Sequence, residues 1–185
     1  MITLVHGGQR GVDRGAHDAA IANGWGIAGY MPNDQRDEFG RIPLDVARHL
    51  QLHESRSYAA RTEANVRTSS AVLIVVRNAD DPRTTPGTAK TIDLAAQRNL
   101  RCMIVDPTTD AVQIARWIKS GLVPLPLDLF EPTLEVPPMR LLVAGPRESR
   151  WSGARVETAT LLHRVALALA EIARDPEPGR DLARP

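Results

Sequence analysis

Three short glycine-containing segments hold most of the residues that could bind a ligand. The first, HGGQRGVD, runs from His6 to Asp13 and places three glycines within five residues, directly before a helix-forming stretch. Glycine lets a ligand approach the backbone closely, and free N–H groups at a helix start attract phosphate and other oxyanions. The spacing matches neither the dinucleotide fingerprint G-x-G-x-x-G nor a Walker loop. The segment therefore predicts contact with an anionic ligand, and a purely structural turn is the alternative.

The second segment, NADDPRTTPGTAKT, runs from Asn78 to Thr91 and follows a long apolar run. Its Gly87 and Thr88 can bind a phosphate through a backbone N–H and a hydroxyl, with Thr91 one helical turn further on. The same groups also suit ordinary capping, with Thr85 as the N-cap and proline at the first helical position. Capping and anion binding use the same N–H groups, so the sequence leaves both interpretations open.

The third segment, GPRES, spans Gly145 to Ser149 and follows the last apolar run. Arg147 suits a bidentate contact with an oxyanion, and Trp151 just beyond it could stack on a flat ring. An exposed arginine and a partly buried tryptophan fit the pattern equally well without a ligand.

A further group of polar residues lies on a predicted helix over Ser57–Thr68. Spacings of three or four residues bring together Tyr58, Arg61, Thr62 and Asn65 on adjoining helix faces. Such residues can line a cleft, but a solvated helix face is the preferred interpretation.

Histidine and cysteine give weaker signals. His49 and His53 are four residues apart, but no third ligand is placed near them, so no structural metal is expected. His6, at a strand end, is expected to be a hydrogen-bonded residue rather than a catalyst. Cys102 is the one cysteine and lies within an apolar run, which predicts an inert core residue. No catalytic residue is predicted.

The elements that must position these residues alternate along the chain. Short apolar runs predict strands at Ile2–Val5, Ile27–Met31, Ala71–Val76, Cys102–Val105 and Arg140–Ala144. Helical patterns cover Val12–Ala22, Ser57–Thr68, Thr88–Asn99, Ala111–Lys119 and Ala154–Ala173. Near-continuous apolar strands between helices predict an α/β fold with a doubly wound, mainly parallel sheet and helices on both faces. The polar stretch Asn33–Pro43 predicts a loop near the carboxyl end of the second strand.

The whole chain has the composition of a cytoplasmic globular protein. Its 185 residues are 43% hydrophobic and 24% charged, with a formal net charge of +1, which gives no reason to expect a nucleic-acid or membrane surface. A single cysteine excludes an intramolecular disulfide and favours the cytosol. We expect one domain over residues 1–173, an extended proline-rich connection at 121–138 and a disordered tail at 174–185.

The order of the motifs resembles a known family. The matching residues, in chain order, are Gly7-Gly8-Gln9, Gly11-Val12-Asp13-Arg14, Asp18-Ala19-Ala20, Gly29, Pro32, Ile42-Pro43, Tyr58, Arg61-Thr62, Asn65-Val66, Gly87-Thr88, Thr91 and Ala144-Gly145-Pro146-Arg147-Glu148-Ser149. From Ile2 to Arg164 the chain resembles the family named putative molybdenum carrier proteins, a circularly permuted YpsA-like group among the LOG and DprA-like Rossmann domains.

The resemblance implies a Rossmann-like fold in which an opening strand-turn-helix unit has moved to the C-terminus. It also implies a homo-oligomer that binds a phosphate-bearing small molecule, and the family's ligand is the molybdenum cofactor, a molybdopterin with a terminal phosphate. Together with the segments above, it predicts the ligand-binding residues Gly7, Gly8, Gln9, Arg10, Gly11, Asp13, Arg61, Asn65, Gly87, Thr88, Thr91, Gly145, Pro146, Arg147, Glu148 and Ser149. We expect Arg147→Ala and Gly8→Val each to remove ligand binding and leave the fold intact.

The chain departs from the family pattern at several positions near the predicted site. Arg10 stands where the family usually has threonine, which adds a cation to the first segment. Asn33 replaces the usual lysine, Thr68 and Ser70 replace two expected acidic residues, and Pro86 replaces a glycine. These changes bear on which ligand the site binds, and the expected fold stays the same.

Two other functions remain as alternatives. The first is a nucleotide phosphoribohydrolase of the LOG type, whose pattern PGGxGTxxE carries a glutamate where this chain has Thr91. Asp93 lies two residues further on, about 200° around the helix, which argues against hydrolysis. The second is a nucleotide-binding sensor. A single-stranded DNA role is not expected, because such grooves need stacking rings and aromatic residues are only 4% of the chain.

Overall fold

Five parallel strands form the central sheet of the computed structural model, which describes residues 2–55, 57–121 and 139–174. The strands of the described residues, in chain order, are β1 (Ile2–Val5), β2 (Gly26–Ala28), β3 (Tyr30–Met31), β4 (Arg36–Asp37), β5 (Gly40–Arg41), β6 (Gln51–Leu52), β7 (Ala71–Val75), β8 (Arg101–Val105) and β9 (Met139–Ala144). The central sheet has the order β2-β1-β9-β7-β8, and each neighbouring pair is parallel.

The helices cover both faces of this sheet. They are α1 (Val12–Ala22), α2 (Leu44–Ala47), α3 (Tyr58–Arg67), α4 (Pro86–Gln97), α5 (Ala111–Ser120) and α6 (Ala154–Arg174). Helices α1, α5 and α6 contribute to the core on one face, and α3 and α4 contribute to the core on the other. The predicted doubly wound α/β fold is therefore confirmed.

Strand β7 shows why its sequence forms an interior strand. Successive side chains of a strand point to opposite faces, and here Leu73 and Val75 join one core while Val72 and Ile74 join the other. All four are fully buried. An unbroken apolar run suits a strand that is covered on both faces.

The last strand of the chain lies in the middle of the sheet. β9 pairs with β1 on one side and with β7 on the other, although it follows both in sequence. This placement is the one expected for a circularly permuted Rossmann-like fold, because a strand-turn-helix unit that would open the sheet closes the chain instead. The turn after β9 is thereby placed between the turns that follow β1 and β7.

The predicted second strand is two strands in the structure. Gly29 adopts φ +131°, and a Cβ at this position would collide with the carbonyl oxygen of His6, so the chain turns here and divides Ile27–Met31 into β2 and β3. β3 then pairs with β6 outside the central sheet. The predicted loop Asn33–Pro43 contains the antiparallel hairpin β4–β5, whose strands are too short to produce a periodic pattern.

Cys102 is exposed. The prediction that it is a core residue, made from its apolar neighbours in sequence, is therefore wrong. Cys102 lies near the start of β8, an edge strand of the central sheet whose first two residues are exposed. Residues 122–138 and 175–185, to which most of the predicted connection and tail belong, lie outside the described residues, and α6 continues to Arg174. Within the described ranges, no helix combines the length and apolar character needed to cross a membrane.

Candidate functional site

The candidate site lies where three neighbouring strands end. β1, β9 and β7 are adjacent and parallel, so their carboxyl ends meet at one edge, and the three glycine segments follow these strands. A cleft of about 500 Å3 opens there, lined by all three segments and by α3. Ligands of open α/β sheets bind at this edge.

Most of the predicted ligand-binding residues line the cleft. They are Gly7, Gln9, Arg10, Asp13, Arg61, Asn65, Gly87, Thr91, Gly145, Arg147 and Ser149. The remaining predicted residues are Gly8, Gly11, Thr88, Pro146 and Glu148, which are not part of the cleft lining. Their contacts, described below, support the walls of the cleft.

The backbone of the first segment is held by side chains of the protein itself. The N–H groups of Gly7 and Gln9 both donate to Asp13 Oδ2, each at 3.0 Å, and the Gly8 N–H donates to His6 Nδ1 at 3.1 Å. Desolvation raises the pKa of Asp13, and the cation of Arg61 opposes this effect. These three amides are therefore not available to a ligand, which corrects the expectation of an open anion-binding loop.

We predict that Asp13→Ala lowers the free energy of unfolding by about 1–3 kcal/mol, because two amides lose their acceptor. Urea unfolding measures this change. Asp13→Asn is the matched variant, since its amide oxygen can still accept both N–H groups, and we expect it to lose less stability. Equal stability of Asp13→Ala and the wild type would show that the carboxylate does not hold the loop.

Two buried polar atoms of the cleft have no hydrogen-bond partner among the described residues. These atoms are Gln9 Oε1 and Arg61 Nε. The other ends of both side chains are bound, because Gln9 Nε2 donates to Arg36 O at 3.2 Å and Arg61 Nη1 donates to Gly7 O at 3.3 Å. Leaving such atoms unpaired costs stability, so a ligand or a bound water that hydrogen-bonds to either atom would be stabilising.

The cleft is electrostatically positive. Its lining has two carboxylates, Asp13 and Glu38, against five cationic side chains, which are Arg10, Arg61, Lys90, Arg147 and Arg150. Burial lowers the pKa of Arg61, the charge of Arg147 acts in the same direction, and Asp13 opposes both. A bound anion would offset this repulsion between cations, which is the electrostatic behaviour of an oxyanion site.

Helix α3 presents a buried polar face to the cleft, not the solvated face that the sequence favoured. Arg61 and Asn65 are 8% and 3% exposed. Asn65 binds the backbone of β3, because its Oδ1 accepts from Tyr30 N at 2.7 Å and its Nδ2 donates to Tyr30 O at 3.2 Å. Periodicity identified the face, but only the packing against β3 and the first segment reveals that the face is covered.

Tyr58 provides an aromatic ring at the cleft, beside two cations. The guanidinium carbon of Arg147 lies 4.8 Å from the ring centroid, and that of Arg61 lies 5.5 Å from it. Cation–π contacts of this kind orient an arginine at a site. The ring is partly exposed, so a planar ligand group can reach it.

The start of α4 contributes one open amide. Thr85 Oγ1 accepts from Thr88 N at 3.2 Å, as the capping interpretation predicted, and Thr91 Oγ1 donates to Gly87 O at 3.0 Å. Pro86 has no N–H, so among the described residues Gly87 N is the first-turn donor left without a cap. A Cβ built on Gly87 would have no neighbour within 4 Å, so this side of the helix start faces open space.

The third segment is occupied by acceptors of the protein. Ser149 N and Ser149 Oγ both donate to the carboxylate of Glu38. Glu148 accepts from Gly153 N at 2.6 Å and from Arg155 N at 3.2 Å, which caps the start of α6. Glu148 therefore occupies two amides at the start of α6, and within the described residues no amide of α6 belongs to the cleft lining.

Trp151 is part of the hydrophobic core, with 4% of its surface exposed. Of the two interpretations that the sequence left open, its burial favours a core tryptophan without a ligand contact. Tyr58 is the aromatic residue that lines the cleft instead.

The glycines behind the cleft allow close packing. Gly8 has φ +74°, and a Cβ there would lie 2.8 Å from Leu50 Cδ1. Gly11 has φ +82° and faces the backbone of the third segment, where Val12 N donates to Pro146 O. Gly8→Val would therefore strain the fold, which corrects the expectation that it would leave the fold intact.

Arg10 binds the β4–β5 hairpin. Its Nε donates to Asp37 Oδ2 at 3.1 Å, and its guanidinium carbon lies 4.9 Å from the ring centroid of Phe39. Arg14 Nη2 donates to the same Asp37 oxygen at 3.2 Å. Arg10, which is absent from the family pattern that the chain resembles, thus connects the first segment to the hairpin.

Several lining residues were not among the predicted ligand-binding residues. The principal ones are Glu38, Tyr58, Thr62, Lys90 and Arg150. Helical spacing is the signal that could have added Thr62, four residues after Tyr58, and Lys90, three residues after Gly87. Glu38 had no such signal, because its position depends on how a hairpin packs against a segment more than a hundred residues away.

Three histidines, His6, His17 and His49, form an edge-to-face cluster in which His6 and His17 are buried. His17 Nδ1 lies 3.3 Å from His6 Nε2, and the rings of His17 and His49 are 5.3 Å apart. Because Gly8 N–H occupies His6 Nδ1 as an acceptor, neutral His6 carries its proton on Nε2 and donates it to His17. Among the described residues, no group of three or more His, Cys, Asp or Glu side chains is arranged to hold a metal ion.

Comparison with known proteins identifies the family. A search of curated proteins found no match. The solved structures include a similar chain, the "Putative molybdenum carrier protein" from Syntrophus aciditrophicus SB, with 26% identity and a TM-score of 0.71 over 89% of this chain and 94% of that one. The model of the Circularly permutated YpsA SLOG family matches residues 4–166. The chain therefore belongs to the circularly permutated YpsA SLOG family.

Proposed function

We propose that the protein binds and carries a phosphate-bearing small molecule, and that this molecule is the molybdenum cofactor. The observation that carries the proposal is the positive cleft at the carboxyl edge, in which buried Arg61 Nε and Gln9 Oε1 lack partners among the described residues. A ligand with both anionic and hydrogen-bonding groups would satisfy these atoms. We further propose a homo-oligomer in the cytoplasm.

The chemistry of a phosphorylated pterin fits the arrangement of groups in the cleft. The phosphate would contact Arg61, Arg147 and the open amide of Gly87, where cations and a helix start coincide. The flat ring would contact Tyr58, and the amide of Gln9 would bind the polar ring edge. The name of the similar Syntrophus protein supports the same ligand class.

The contacts of α4 do not favour the hydrolase alternative. Asp93 is paired with Arg83 at 2.7 Å, about half of each side chain is exposed, and Asp93 does not line the cleft. Thr91 lies at the position of the LOG glutamate and donates its hydroxyl to Gly87 O. A threonine cannot act as a carboxylate base, so we propose binding without turnover.

We predict that a pterin with a terminal phosphate raises the melting temperature of the protein, and that it does so more than AMP or the same pterin without phosphate.

Arg147→Ala should weaken binding of the phosphorylated pterin about 10–100-fold, because one charged hydrogen-bond partner is lost. Titration calorimetry measures this change. Gly87→Val should also block binding, and because its side chain enters open space it should leave the melting temperature of the free protein unchanged.

Arg67→Ala is the matched control for Arg147→Ala, because it also removes one arginine charge. Arg67 is exposed at the end of α3 and does not line the cleft. It should bind as the wild type does. A larger stabilisation by AMP without turnover would favour the nucleotide sensor, and release of adenine from AMP would contradict the carrier proposal.

A further inference from the structure

An acidic side chain of the protein occupies a pair of donors in the cleft. The carboxylate of Glu38 accepts from the backbone N–H of Ser149 at 3.1 Å with one oxygen and from the Ser149 hydroxyl with the other. Both residues line the cleft. A backbone N–H and a hydroxyl that converge on one carboxylate form the kind of contact that proteins also make with phosphate and other oxyanions.

The surroundings of this contact are cationic. Arg10, Arg147 and Arg150 line the same cleft, and Arg147 and Arg150 lie in or directly after the segment that contains Ser149. The one other carboxylate of the lining, Asp13, already accepts from two amides of the first segment. Glu38 is therefore the negative charge that the free protein places against this part of the cleft.

The hairpin that carries Glu38 is anchored independently of that contact. Glu38 and Phe39 form the turn between β4 and β5, and the preceding Asp37 is buried against Arg10 and Arg14. Asp37 Oδ1 also accepts from Phe39 N at 2.9 Å. The Glu38 side chain can therefore leave Ser149 by rotation about its own bonds, while the hairpin backbone keeps its position.

We propose that the Ser149 N–H and hydroxyl are an anion subsite of the cleft, that Glu38 fills it in the free protein, and that an incoming phosphate must displace Glu38. Glu38 is then a specificity-determining residue. A dianionic phosphate, which carries more charge and more acceptor oxygens, competes with the internal carboxylate. A monocarboxylate has no more charge and no more acceptor oxygens than the Glu38 side chain, so it does not displace Glu38 and is excluded. This inference rests on the proposed function, because it assigns a subsite of the same cleft.

The test is titration calorimetry of the full chain with inorganic phosphate and, separately, with acetate. Glu38→Gln keeps an oxygen of similar shape but removes the charge, so we expect it to bind phosphate about tenfold more tightly than the wild type does. Glu171→Gln removes the same charge from an exposed position on α6 and should bind phosphate as the wild type does. Ser149→Ala in the Glu38→Gln background should abolish the gain.

Each outcome decides between the proposals. Equal phosphate affinity of Glu38→Gln and Glu171→Gln overturns the subsite, as does a gain that survives Ser149→Ala. Absence of phosphate binding in both the wild type and Glu38→Gln also overturns it. If Glu38→Gln tightens phosphate binding but the phosphorylated pterin binds to neither protein, the subsite stands and the proposed ligand falls. Binding of acetate as tightly as phosphate contradicts the selectivity assigned to Glu38.

Discussion

Asp37→Ala is expected to lower the free energy of unfolding by about 3–5 kcal/mol, because it leaves a buried arginine without its counter-ion. The Asp37 side chain is completely buried, and its Oδ2 accepts from Arg10 and from Arg14, whose side chain is 6% exposed. Arg14 also donates weakly to Gly8 O, at 3.4 Å, which cannot replace a carboxylate. Equilibrium unfolding in urea measures the loss.

Asp93→Ala is the matched control for this experiment. It also removes an aspartate from an arginine pair, but both side chains of the Arg83–Asp93 pair are half exposed, and water screens such pairs. We expect a much smaller change in stability. If the two variants lose the same stability, burial does not determine the strength of the Asp37 pairs.

Loss of the Asp37 side chain should also change the contacts of the cleft. Because Asp37 anchors the β4–β5 hairpin to the first segment, its loss should release Glu38 from Ser149 as well as destabilise the fold. Arg10→Ala separates the two effects, since the Arg10 side chain is 43% exposed and Arg14 keeps the carboxylate paired. We expect Arg10→Ala to cost less stability than Asp37→Ala.

Acidification from pH 7 to pH 5 is expected to destabilise the fold by about 2 kcal/mol through His6 alone. Burial, together with the charges of His17 and Arg14, lowers the pKa of His6 from 6.5 to about 3. The native state therefore keeps His6 neutral throughout this range, whereas the unfolded chain binds a proton below about pH 6.5. Because the unfolded state binds more protons, stability is complete above pH 6.5 and falls as the pH falls toward 3.

Neighbouring groups modify the size of this effect but not its sign. The pKa of His17 is lowered as well, mainly by burial, so its protonation acts in the same direction. The pKa of Asp13 is raised by desolvation, so Asp13 opposes the change at the acidic end. The measurement is the free energy of unfolding in urea at half-unit steps of pH.

His6→Asn is the variant that tests the assignment. Its side-chain oxygen can accept from Gly8 N in place of Nδ1, and it does not titrate, so we expect the dependence of stability on pH to become shallower. His163→Asn, on the exposed side of α6, is the matched control and should leave the dependence unchanged. A His6→Asn protein with the wild-type slope would assign the effect to another group.

The sequence determined the five strands of the central sheet, the five helices that cover it and the positions of the three segments, but not α2 or the short strands β4, β5 and β6. Apolar runs and helical periods located β1 and α1 at their observed bounds and the other predicted helices to within two residues. Glycine and proline fixed where strands pass into helices. These signals are local, because they depend on backbone geometry and on burial repeated over a few residues. The expectation that the three segments meet followed from a parallel sheet, whose carboxyl ends share one edge.

Only the tertiary structure decided which groups of the segments are free. Asp13 fills the amides of the first segment, and Glu38 fills the donors of Ser149. Arg61, 54 residues from Gly7 in sequence, donates to Gly7 O, and its Nε has no partner within the part of the chain that the structure describes. Hydrogen-bond partners of this kind depend on how distant elements pack, and no local pattern records them. The sequence therefore located the cleft, whereas the packing of a hairpin and of α3 against its rim determined its charge and its free donors.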